Sequence, residues 1–286
     1  MVVAQSADTT YWKKGFLGTL TINQVALKNW QAGGDSSYSW NALVILYANY
    51  EKDNWAWSNN LQTGIGYQFQ NDIVTKTDDR FEFTTNVGYK SAKNWHYMLF
   101  GQFRTQYFDG FAKSEDTVRI STFLAPAYTI LGLGMEYKPS DNFKIYLSPV
   151  TAKHTYVRDS LLASQGAFGV SPGENGRFEA GAYLNTVWLK EEIVKNVTLR
   201  TKLDLFANYL ENVGNVDINA EVFLLMKINN WLSAIFMVQM IYDDDIKIDS
   251  GELASNGSPI IGPRAQWRQV FGVGLTARLP SPKKEE

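Results

Sequence analysis

From Phe81 to Tyr89 the chain alternates: Phe81, Phe83, Val87 and Tyr89 are apolar, while Arg80, Glu82, Thr84 and Asn86 fall between them. The same period of two runs from Val197 to Tyr209, where Val197, Leu199, Leu203, Leu205 and Tyr209 oppose Arg200, Lys202, Asp204 and Asn208. It continues through Val216, Ile218, Ala220, Val222, Leu224 and Met226, set against Asp217, Asn219, Glu221 and Lys227. From Trp95 to Tyr107 one face holds Trp95, Tyr97, Leu99, Phe103 and Tyr107, and the other His96, Gln102, Arg104 and Gln106. Successive side chains of a β-strand point to opposite faces, so this pattern predicts strands with one apolar and one polar face. About twelve such segments are found, centred near residues 18, 45, 62, 85, 101, 132, 147, 183, 203, 222, 237 and 273. The one helical turn expected lies near Ser160 to Gln165.

The connections alternate as well. Short ones fall around Lys52-Asp53, Ala92-Lys93, Ser140-Asp141, Glu192 to Asn196 and Asn229-Asn230. Long ones are expected at Leu27 to Ser37, Asn71 to Asp79, Gly110 to Ala125, Lys153 to Gly176 and Asp243 to Ala265, with Glu211 to Gly214 as a short exception. In an up-and-down antiparallel sheet successive connections lie at opposite ends. Short turns at one end and long loops at the other mark a transmembrane β-barrel. An even strand count puts both termini at the short-turn end, which would face the periplasm.

Aromatic residues sharpen this picture. The short turns open on Asn54-Trp55, Asn94-Trp95, Asn142-Phe143 and Asn230-Trp231, where a strand would enter hydrocarbon. Trp and Tyr suit that depth because an apolar ring carries a polar tip that reaches headgroups. Tyr50, Trp55, Tyr89, Trp95, Tyr137, Phe143, Trp188 and Trp231 would form an inner girdle, and Tyr67, Phe69, Tyr107, Tyr209 and Tyr242 an outer one. A soluble β-sandwich also alternates; the girdles and the loop asymmetry favour the barrel. The expected fold is therefore all-β, a single transmembrane antiparallel up-and-down barrel over residues 12–279, with an N-terminal segment 1–11 and a tail 280–286.

The 286-residue composition agrees: no apolar run reaches the ~18 residues of a spanning helix. A net charge of −2 offers no basic field for nucleic acid. The absence of cysteine rules out disulfides and thiolate chemistry, and suits an exported chain. Met1 followed by Val2-Val3-Ala4-Gln5 reads either as the end of a removed signal peptide behind an added methionine or as a frayed N-terminus.

Five stretches, "NQVALKNWQAGG" (Asn23 to Gly34), "FRTQYFDGF" (Phe103 to Phe111), "ISTFLAPAY" (Ile120 to Tyr128), "LSPVTAKHTYVRD" (Leu147 to Asp159) and "YDDDI" (Tyr242 to Ile246), resemble a Bacteroidota outer-membrane family catalogued as a domain of unknown function. The resemblance implies an outer-membrane barrel made with a signal peptide, and it brings no catalytic residue and no substrate. One departure is the C-terminus, where Leu279 is followed by "PSPKKEE" instead of ending on an aromatic.

Candidate chemistry is sparse. His154, near Asp159 and Ser160, could be the base of a rim hydrolase, since a serine nucleophile needs a base and an orienting group. A surface or loop-packing histidine is the alternative, and His96 reads as an interior polar group. Asp243, Asp244 and Asp245 could collect a divalent cation, although Lys247 opposes this. The glycines of "GLGMEY" and "GVGL" belong to strands, with no helix following to make a phosphate loop.

The richest feature is the polar face. Arg80, Glu82, Arg104, Arg200, Lys202, Asp204, Asp217 and Glu221 are expected to line the lumen, with both signs interleaved. Such a set either fills and stiffens a barrel through cross-strand ion pairs or selects solutes in a narrow channel. Twelve strands enclose more than a just-filled eight and less than a sixteen-stranded porin. The loop Lys153 to Gly176 is long enough to fold in and close the bore. Leu99 and Leu203 are placed on the lipid face, while Gln102 and Asn208, on the lumen side, are expected to tolerate arginine. No cofactor is expected. The partners expected are outer-membrane lipid, lipopolysaccharide and other envelope proteins. Three functions follow: a narrow pore, a structural or accessory subunit of an envelope complex, or a rim hydrolase.

Overall fold

The computed structural model describes residues 11–27, 35–111, 116–212, 214–253 and 257–279, with the side chains at 249–251, 278 and 279 left aside. Residues 1–10, the 28–34 part of the "NQVALKNWQAGG" stretch and the tail 280–286 lie outside the described residues.

Twelve antiparallel strands close into one barrel. In chain order they are β1 (Trp12–Val25), β2 (Ser37–Lys52), β3 (Trp55–Gln70), β4 (Ile73–Ala92), β5 (Trp95–Thr105) and β6 (Ala127–Ser140). The second half comprises β7 (Phe143–Tyr156), β8 (Gly176–Val194), β9 (Val197–Asn208), β10 (Val216–Lys227), β11 (Leu232–Tyr242) and β12 (Gln266–Leu279). Each strand pairs with its neighbours in sequence, and β1 closes on β12 with Phe16 opposite Leu279 and Thr21 opposite Gly274. Closure leaves no sheet edge, so every strand's backbone groups can be paired without water, as a lipid-embedded sheet requires.

The side chains follow the pleat. Leu99, Leu131, Leu133, Leu147, Val150, Phe271 and Leu275 stand 41% exposed or more on the outer surface. In water such a continuous apolar surface would be unfavourable; in hydrocarbon it is the solvated face. The rings at the short-turn end touch one another across strands: Trp12 and Tyr50 at 5.3 Å, Trp55 and Tyr89 at 5.2 Å, Trp95 and Tyr137 at 4.9 Å. Trp12 and Trp57, 5.7 Å apart, extend this band beyond the residues expected from sequence. Near the opposite end Tyr38 meets Phe69 and Trp40 meets Tyr67.

Two-residue turns at Asp53-Asn54, Lys93-Asn94 and Asp141-Asn142 join strands at one end. One connection expected to be long is not. β3 turns into β4 at Asn71-Asp72, with Gln70 opposite Ile73. Both turn residues have positive φ, 50° and 64°. Asn and Asp are the residues that reach this region at little cost, and a turn with φ > 0 at both positions matches the twist of a hairpin. The strands here run past the apolar band, so β4 is 20 residues long.

Three other loops at that end carry structure. Gly110–Phe111 pairs with Arg119–Ser121, and Lys247–Leu253 pairs with Pro259–Pro263. The 157–175 connection contains a five-residue helix, α1 (Ser160–Ser164), within the turn expected from sequence. Asp159 caps it, accepting a hydrogen bond from the Leu162 amide at 3.0 Å. Ala125, Val157, Leu162, Ala163 and Val170 form a small apolar core at 4% exposure or less, so this loop folds as a compact lid. The amide of Arg158 bonds the Leu124 carbonyl at 2.9 Å, tying the lid to the neighbouring loop.

Candidate functional site: a lumen spanned by ion pairs

The inward face of a twelve-stranded barrel should leave a bore, and three layers of side chains fill this one. The first is charged. Arg80 on β4 donates to Glu221 on β10 at 3.0 Å. Lys202 on β9 donates to Glu82 on β4 at 2.5 Å. These strands stand six and five positions apart in the closed sheet, so the pairs join opposite walls. Arg200 adds a bond to the second Glu221 oxygen at 3.4 Å, and Gln102 donates to Glu82 at 3.2 Å. Arg80, Glu82, Lys202 and Glu221 keep only 7–14% of their side-chain surface. Charges this enclosed persist only when paired and hydrogen-bonded. Asp204 is held on all sides: the Tyr183 hydroxyl and the Asn185 amide donate to Oδ1 at 2.6 and 2.7 Å, and Asn219 donates to Oδ2 at 3.2 Å.

The second layer is apolar and was not read from the sequence. Met98, Phe100, Ile130, Tyr146, Tyr183 and Phe206 pack together on the β5–β9 wall, each at 7% exposure or less. Leu43, Phe223, Ile235 and Met237 form a second cluster from β2, β10 and β11. Arg80 also lies 3.5 Å from the Met237 sulfur, where charge network and apolar cluster meet. Met98 and Phe100 share the inward parity of His96 and Gln102, so that strand is apolar on both faces over its middle.

The third layer lies toward the long loops. Lys153 on β7 is shared by three carboxylates: Asp217 at 2.6 Å, Glu179 at 3.3 Å and Asp243 at 3.6 Å. Arg177 similarly joins Glu179, Glu211 and Asp245. The lid caps this layer. Between it and the Arg80–Glu221 level lies a cavity of about 200 Å³, whose wall includes Arg104, Tyr128, Lys153, Asp217, Asp243 and the lid residue Phe168.

All eight side chains singled out from the sequence are on the inward face. Arg80, Arg200 and Glu221 form one ion-paired group, Glu82, Lys202 and Asp204 a second, and Asp217 belongs to the Lys153 cluster. Arg104 stands apart: it makes no ion pair within 4 Å among the described residues although Glu82 lies opposite it on β4, its Nε is buried without a hydrogen-bond partner, and it lies over the Tyr128 ring at 5.4 Å. The expectation that Gln102 and Asn208 tolerate arginine does not hold. They are 4% and 8% exposed. Gln102 is bonded to Glu82 and Asn208 to Glu179, so no space or free charge awaits a larger cation.

The other candidates disperse. His154 points to the outer face beside Tyr156, ring centroids 6.5 Å apart, since its neighbour Lys153 points inward. Asp159 is occupied by the α1 cap and by Arg119 at 3.0 Å, so it orients no histidine. His96 faces inward, its Nδ1 buried and without a partner. Asp243, Asp244 and Asp245 diverge to Lys153, Asn215 and Arg177. Among the described residues no group of three potential metal ligands converges.

The fold is thus a closed transmembrane-type antiparallel barrel with a filled bore. The family described as "Protein of unknown function (DUF3078)" matches residues 22–111. No curated protein matches the chain. Among solved structures, an outer membrane channel from Pseudomonas putida F1 is 10% identical, with 98% of this chain and 99% of that one covered at a TM-score of 0.40. The translocator domain of the autotransporter NalP from Neisseria meningitidis is 9% identical over 94% and 90%, at 0.34. The NanC porin is 8% identical over 91% and 98%, at 0.36.

Proposed function

We propose that this protein is a non-enzymatic barrel of the bacterial outer membrane, from the Bacteroidota lineage its motifs imply. In this reading it acts as a narrow passage for small polar solutes, held shut in the resting state. The observation that carries it is the pairing of Arg80 with Glu221 and of Lys202 with Glu82 across the bore. Ion pairs are reversible in a way that a covalent or apolar plug is not, and solvated ions or a charged solute compete for them. The cavity beneath the lid then serves as the outer vestibule, and the paired level below it is the gate. Lipid and lipopolysaccharide contact the outer face, and other envelope proteins are candidate partners at the loops.

A second reading has its own support. The apolar cluster Leu43, Phe223, Ile235 and Met237 is buried inside the barrel at 6% exposure or less, as suits a barrel that is a permanently filled scaffold for an envelope complex. Proteoliposome swelling separates the two. A passage predicts that the double variant E82Q/K202Q admits small sugars or amino acids faster than the wild type. Equal and negligible swelling for both would favour the scaffold.

A further inference from the structure

The cavity under the lid is electrically lopsided. On the β5 side stands Arg104, which has Glu82 opposite it on β4 but makes no ion pair within 4 Å among the described residues, and whose Nε is buried and unpartnered. On the β7 and β10 side, Lys153 is outnumbered by Asp217, Glu179 and Asp243. β5 and β10 lie five positions apart in the closed sheet, so Arg104 and the acidic excess face each other across the space. A buried donor without a partner in a native structure calls for an explanation, and an absent ligand is one.

We propose that this cavity is a binding site for a small zwitterion, a free α-amino acid, with its carboxylate on Arg104 and its ammonium on the Asp217–Asp243 side. A guanidinium is suited to a carboxylate because its planar fork donates two parallel hydrogen bonds. The ammonium finds carboxylates that Lys153 leaves incompletely neutralised. The remaining wall mixes polar Gln102, Asp204, Asn219 and Gln266 with apolar and aromatic residues, of which Ile130, Phe206, Ile241 and Phe168 can receive a side chain. The volume, about 200 Å³, falls below the roughly 300–1,000 Å³ of sites for drug-sized ligands. It suits one amino acid and excludes peptides and oligosaccharides. Phe168, at φ 59°, is carried into the wall by the lid, which places entry at the long-loop end. The inference deepens the proposed passage by naming what its vestibule holds, and it rests on that reading only for the direction of entry.

The test is thermal. Full-length protein in detergent is heated with L-alanine, L-leucine, sodium acetate or methylammonium chloride at equal ionic strength, and the unfolding midpoint is followed by intrinsic fluorescence. Either amino acid should raise the midpoint in a saturable way, while acetate and methylammonium, each carrying half of the recognition, should not. R104Q should weaken the amino-acid effect at least tenfold in concentration, and D217N should weaken it less. Heat-modifiable gel mobility verifies that both variants are folded. A shift with acetate equal to that with alanine would make the site a simple anion site, and no saturable shift with any amino acid would remove it. Should R104Q fail to fold, the wild-type comparison of alanine with acetate decides alone. Binding without solute flux contradicts the passage and leaves the site; flux without binding does the reverse.

Discussion

Arg80 and Glu221 meet at 3.0 Å although 141 residues separate them and their strands stand on opposite walls of the barrel. A contact of this kind exists only once the barrel has closed. Glu221 also receives Arg200, so its carboxylate offsets two guanidinium groups at once.

Removing that carboxylate should therefore be far worse than removing it together with both guanidinium groups. E221Q leaves Arg80 and Arg200 enclosed without their partner and is expected to lower stability by about 3–5 kcal/mol. R80M/R200M/E221L, which replaces the carboxylate and both guanidinium groups by apolar volume beside Met237, should sit within about 1–2 kcal/mol of the wild type. Urea unfolding in detergent micelles, followed by the loss of heat-modifiable mobility, measures both. Equal losses for the two variants would show that the pair is solvated and contributes little.

Arginine substitutions test the two faces. L99R places a charge in hydrocarbon and should cost about 2–4 kcal/mol if the residue lies near the bilayer midplane. Q102R, directed inward, should also destabilise, by about 1–3 kcal/mol, because Gln102 is 4% exposed and adds to a filled layer. Folding yield into lipid vesicles at rising urea reads both. A harmless Q102R would mean that the bore is open at that level.

The strands were legible because period two is a local signal: all twelve expected centres fall inside barrel strands, from 18 in β1 to 273 in β12. The Asn71-Asp72 turn was missed because the polar residues after it, through Asp79, look like loop. They are instead strand that extends beyond the apolar band, with Asp79 accepting from the Tyr107 and Phe108 amides. The inward position of the eight charged residues followed from parity. Which of them meet did not, since partners such as Lys202 and Glu82, 120 residues apart, are chosen by barrel closure and stagger. Phe100 and Tyr146 stack at 5.3 Å in the bore, yet apolar residues at inward parity leave no alternation to detect.

The lid should open without the barrel. Leu162 is 3% exposed in a cluster made only of loop residues, so L162A removes core from the lid alone. Limited proteolysis should then cut within 157–175 at least tenfold faster, while the heat-modifiable midpoint stays within a few degrees of the wild type. Loss of the folded barrel in L162A would show that the lid is part of the barrel's own core.

Single-channel recording in a planar bilayer addresses the gate most directly. With the wild type at low applied voltage the membrane should stay silent, because opposite walls are joined at two places in the bore. The variant R80Q/E221Q combined with E82Q/K202Q, which removes both ties and leaves Arg200 and Asp204 without these ion-pair partners, should produce brief unitary conductance steps. Steady conductance from the wild type under the same conditions would contradict the account, since those ion pairs would then not be what closes the bore.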